Sequence, residues 1–101
     1  MVDSACVKPK KMSEHRLWGF DEEQREVLLA ASYDQPEIAG LVLRAGRHPE
    51  IAGLWMVWAT GHELDAVYCI VESLEHGARG RKRRELLEGI RMSLCSSIDG
   101  F

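Results

Sequence analysis

The sequence predicts an all-α fold, a compact bundle of about five short helices with a helical hairpin at its centre. Two observations lead to it. Pro36-Glu-Ile-Ala-Gly-Leu41 recurs letter for letter thirteen positions later as Pro49-Glu-Ile-Ala-Gly-Leu54. Proline suits the first turn of a helix, where the lost N–H has no intrahelical partner, and each copy runs on to a glycine break, at Gly46 and Gly61. Capping signals also precede apolar segments of helical spacing at several places along the chain.

In order, Asp21 reads as an N-cap with Gln24 at the reciprocal position of a capping box, opening a first helix over about 22–33. Glu22 and Glu23 in its first turn complement the helix dipole. Asp34-Gln-Pro-Glu37 repeats the capping logic for a second helix over about 36–45, and the second copy of the repeat predicts a third over about 49–59. Thr60-Gly-His-Glu63 is another capping box, starting a fourth helix that ends at Gly77. A fifth covers about 82–95, with Leu86, Leu87, Ile90 and Leu94 on one stripe. The competing reading makes Leu41-Val-Leu43 and Trp55-Met-Val-Trp58 strands, since periodicity alone does not decide short apolar runs. The proline starts and caps favour helix. Gly40 and Gly53 occupy equivalent positions in the two copies, marking either a close helix crossing or an early helix end.

At 101 residues, 46% hydrophobic and 29% charged, the chain is one globular domain. Residues 1–11 read as a flexible N-terminal extension to a single helical domain over 12–101, with Met12 a plausible second start. The basic residues of that extension lack the apolar core of a signal peptide. No uncharged apolar stretch reaches eighteen residues, because Arg44, Arg47, His48 and Glu50 interrupt the longest candidate. No membrane association is therefore expected. Cys6, Cys69 and Cys95 form an odd set without a CxxC pair, favouring free thiols and a cytoplasmic location. The net charge of −3 hides an asymmetry: residues 12–78 carry a net −8 and residues 79–101 a net +3.

Three features are candidates for function. On the fourth predicted helix His62, Asp65, Cys69, Glu72 and His76 fall within a sector of about 80°. These are metal-ligand residue types, but one helix supplies at most two ligands to an ion, so a solvated polar face is the simpler reading. His62-Glu63-Leu64-Asp65-Ala66 lacks the second histidine of the zinc-protease motif. The second feature is Arg79-Gly-Arg-Lys-Arg-Arg84, in which Arg79, Arg81, Lys82, Arg83 and Arg84 place positive charge where it opposes a helix dipole. They predict a fraying basic edge, with the helix starting near Arg83, that contacts an acidic protein surface or phosphate. The third is Trp55 and Trp58, of which one is an interface anchor if both are not core. No nucleophile elbow, phosphate loop or dinucleotide fingerprint occurs, so neither an enzyme nor a cofactor is expected. The function that follows is a small regulatory or protein-interaction module binding a protein partner or itself, through Trp55, Trp58 and the basic run. The alternative is a nucleic-acid-associated regulator gripping phosphate through residues 79–84.

Overall fold

The computed structural model describes residues 13–99, and its architecture corrects the all-helical expectation. Four helices pack on a three-stranded antiparallel sheet of order β1-β3-β2, an α+β fold. The strands are β1 (His15–Asp21), β2 (Gly46–Arg47) and β3 (Leu54–Thr60). The helices are α1 (Glu22–Ala31), α2 (Pro36–Arg44), α3 (Gly61–Gly77) and α4 (Arg81–Asp99). The expected extension over 1–11, the start at Met12 and Cys6 lie outside the described residues.

β1 forms because residues alternate there: Arg16, Trp18 and Phe20 point into the core while His15, Leu17 and Asp21 point out. Its partner is β3, in a register that sets Leu17 opposite Trp58, Trp18 opposite Val57 and Phe20 opposite Trp55. Asp21 ends the strand and caps α1 in one step, its carboxylate accepting from the Gln24 N–H at 2.8 Å while its own N–H donates to Gln24 Oε1 at 3.0 Å. Thr60 repeats the device between β3 and α3, accepting from the Glu63 N–H at 3.1 Å. Both capping boxes read from the sequence are present. At α2, by contrast, the N-cap residue is Gln35 without a side-chain bond, so proline in the first turn replaces the expected Asp34 cap.

The repeated hexapeptide is where the expected central hairpin fails. Its first copy is helical, with Ile38, Leu41 and Val42 buried. The same six letters at 49–54 form a loop that runs into a strand. His48 accounts for the difference at the start, because its Nδ1 accepts the N–H groups of both Glu50 and Ile51 at 3.0 Å and holds them in a turn. Gly53 accounts for it at the end, with φ of +81° that ends any helix and aims the chain back along β1. Gly40 faces open space and supports no helix crossing.

The core lies between sheet and helices. Trp18, Phe20, Val57 and Ala59 from the strands meet Leu28, Ile38, Leu41, Leu64, Val67, Leu87, Ile90 and Leu94 from the helices. α4 begins at Arg81, earlier than the charge pattern implied, and Arg83 is exposed. Three consecutive β1 residues are bonded to the end of α4. Arg16 Nη1 donates to the Ile98 carbonyl at 2.6 Å, Ser97 Oγ to the Leu17 carbonyl at 3.0 Å, and Trp18 Nε1 to Ser93 Oγ at 2.9 Å. Among the described residues no helix is long and apolar enough to cross a membrane.

Candidate functional site

A strand places residues of odd spacing on opposite faces, so the two tryptophans three positions apart on β3 are separated by the sheet. Trp55 belongs to the side covered by the helices, where it packs partly buried against the core. Its indole N–H donates to Glu22 Oε2 at 3.1 Å, and the guanidiniums of Arg25 and Arg47 lie 3.9 and 5.0 Å from its ring centroid. These contacts hold the ring from both α1 and β2 and make it a structural element. Trp58 stands on the other face with 61% of its surface exposed.

Among the described residues that face carries no helix. Leu17, 39% exposed, is the cross-strand partner of Trp58, and Met56 pairs with Gly19 next along the strands. A Cβ placed on Gly19 meets Leu54 Cδ1 at 3.6 Å and Met56 Cγ at 3.8 Å, so these two side chains lean over the glycine on the same face. The result is a strip of Leu17, Leu54, Met56 and Trp58 with no charged side chain inside it. His15 and Asp21 lie at its two ends, as the ends of β1. Sequence reasoning found Trp58 and missed Leu17. The signal was the alternation of His15-Arg-Leu-Trp-Gly-Phe-Asp21 directly before a capping box, a pattern of period two that reads as a strand.

One backbone carbonyl on each of the two long strands is met by a side chain. Ser97 covers the Leu17 carbonyl on β1, and on β3 Arg44 Nη2 donates to the Trp58 carbonyl at 2.8 Å. Arg44 also forms a two-point ion pair with Glu63, at 2.9 and 3.3 Å, while Glu63 accepts the Thr60 N–H at 2.9 Å. The Arg44 bond first, and the Thr60 N–H second, hold the Glu63 carboxyl well below the usual carboxylate range, at about 2. A carboxylate whose folded pKa is depressed adds stability above its unfolded value and loses it as the pH falls. The window here runs from about pH 4.5 down to about 2. The pair is solvent-exposed, which reduces its worth to about 1 kcal/mol. Urea midpoints at pH 2.5, 4.5 and 7 should therefore show a Glu63-dependent loss of about that size on acidification. Glu63→Gln should remove it, and an unchanged acid limb in that variant would contradict the assignment.

The remaining candidates do not converge. His62, Asp65, Cys69, Glu72 and His76 are all exposed along α3, and no group of three or more metal-ligating residues comes together among the described residues. In the basic run all five cations are exposed. Lys82 pairs with Glu23 at 3.2 Å, and Arg84 reaches the Ala78 carbonyl at 3.4 Å. Acids are interleaved with them: Glu23 and Glu85 share a groove with Arg81 and Lys82, and Glu72 and Glu75 another with Arg84 and Arg91. Arg91 in that second groove is bonded to Glu75 at 2.6 Å. The structure does not bring the basic run and Trp58 into one site by any contact. No protein-family model matches the chain, and no curated protein or solved structure is similar to it at a significant level.

Proposed function

We propose that the chain is a non-enzymatic interaction module whose working surface is the bare face of the sheet, centred on Trp58. The observation that carries the reading is a tryptophan 61% exposed beside Leu17 on an uncharged strip, while four helices cover the opposite face. Exposed apolar strips on a rigid sheet mark interaction sites, and tryptophan is the residue most enriched where binding energy concentrates. The free, exposed thiols of Cys69 and Cys95 favour a reducing compartment as its location. The basic run is less suited to lead the contact, because its charges are partly engaged and mixed with acids.

The test is a photo-reactive benzoylphenylalanine placed at position 58 in the cells that make the protein. Irradiation should give a discrete adduct that disappears when Leu17→Lys is added. The same probe at Tyr33, 97% exposed in the turn after α1, should give none. Equal patterns at the two positions would remove the sheet face as the working surface.

A further inference from the structure

Resting on that reading, we infer that the occupant of the bare face is a second copy of the chain, laid sheet on sheet across a two-fold axis with β1 antiparallel to the partner's β1.

Two features select this arrangement, and a third sets its strength. The edges come first. The sheet has two edge strands: β1, whose Leu17 carbonyl is already occupied by Ser97, and β2, which at two residues is too short to template an incoming strand. Extension of the sheet by another strand is thereby opposed, and stacking on the face remains. Charge comes second. The strip has no ionic group to pair with a charged peptide, so its match is another uncharged strip, and the chain carries one. At its ends stand His15, whose ring carries an N–H to donate, and Asp21, whose carboxylate uses one acceptor site on the Gln24 N–H and keeps others. An antiparallel crossing sets each His15 over the Asp21 of the other copy, twice by symmetry, as an isologous interface requires. A parallel crossing sets like against like.

Size comes third. Seven residues at about 3.3 Å by three strands at about 4.8 Å, with β2 short, give a footprint of roughly 300 Å² a side. That is below the roughly 800 Å² per partner of a standard stable interface. The geometry thus points to a weak, concentration-dependent dimer in the micromolar range, with Trp58 and Leu17 at its centre. Because the contact is apolar, added salt does not dissolve it, unlike a contact between the acidic body and the basic start of α4.

Sedimentation equilibrium of the full chain from 1 to 500 µM, at 0.05 and 0.5 M salt, decides the matter. A reversible dimer is expected at both salts. Trp58→Lys and Leu17→Lys should each weaken it at least a hundredfold while leaving the circular dichroism and melting temperature of the monomer unchanged. His15→Asp should weaken it several-fold, and an unaltered dimer there would overturn the antiparallel crossing. Arg79, Arg81 and Arg83 changed together to Glu should have no effect. A dimer that survives Trp58→Lys, or one that disappears in 0.5 M salt, overturns the face-to-face contact. A monomer throughout also overturns it. In that case a position-58 adduct of one defined foreign mass preserves the interaction reading, and the lack of any adduct removes both.

Discussion

Replacing Trp18 by alanine should destabilise the protein by about 4 kcal/mol, within the range for truncating a buried aromatic side chain. The ring is 1% exposed, lies 4.8 Å from the Phe20 ring centroid to centroid, and fills the space between sheet and α4. Against a total of about 5–15 kcal/mol for a domain of this kind, the melting temperature should fall by roughly 15–30 °C. Calorimetry or thermal circular dichroism measures this directly. A finer experiment separates packing from hydrogen bonding. Trp18 Nε1 donates to Ser93 Oγ, and that hydroxyl donates onward to the Ile90 carbonyl at 2.8 Å. Ser93→Ala leaves a buried indole N–H without its acceptor, at a cost of about 1–2 kcal/mol. Trp18→Phe keeps most of the ring and removes the donor. The double variant Trp18→Phe/Ser93→Ala should therefore cost about 1 kcal/mol less than the sum of the two singles. Strict additivity would show that the bond contributes nothing.

The chain shows where local sequence carries a fold and where it does not. Asp21–Gln24 and Thr60–Glu63 form the capping boxes read from the sequence, and α1, α2, α3 and α4 occupy nearly their expected spans, because caps and helical spacing are local signals. The hexapeptide Pro-Glu-Ile-Ala-Gly-Leu is the counterexample. One sequence is a helix at 36–41 and, at 49–54, a loop that enters β3 at Leu54, so the hexapeptide contains no decision. Context supplies it: Val42 extends the apolar face of the first copy, while His48 fastens the start of the second and Trp55-Met-Val-Trp58 finds β1. A strand partner about forty residues away is a tertiary fact, and β-preference is known to depend on such partners.

The same error hid the geometry of the site. On a helix, residues 55 and 58 lie about 60° apart, and the two tryptophans read as core with at most one of them an interface anchor. On a strand they are on opposite faces, and their roles separate. Trp55 is fixed by Glu22, Arg25 and Arg47 from distant parts of the chain, and Trp58 is left open. The suspicion that one of the pair is not core was legible from the spacing. Which one it is required the register with β1. The polar face of α3 and the basic start of α4 were legible as patterns, and both are exposed surface.

Arg16 carries the second large effect. It is a charged residue 3% exposed on the inward face of β1, and its Nη1 donates to the Ile98 carbonyl at 2.6 Å. Ile98 lies in the last turn of α4, where carbonyl groups have no partner within the helix and the negative end of the dipole favours a cation. Arg16 thus caps, from 82 residues away, the helix that supplies Leu87, Ile90 and Leu94 to the core. Arg16→Ala removes a charged hydrogen bond and the packed stem of the side chain together, and should cost about 3 kcal/mol. Arg16→Lys keeps a charge but loses the planar fork, and should recover less than half of that. Loss of the cap also has a local signature. Amide hydrogen exchange should speed up at residues 95–99 and in the facing part of β1 well before it does in α2, because the end of α4 frays first. If Arg16→Ala melts with the parent chain, or if exchange rises evenly along α2 and α4, the arginine is not the clasp between strand and helix that its geometry implies.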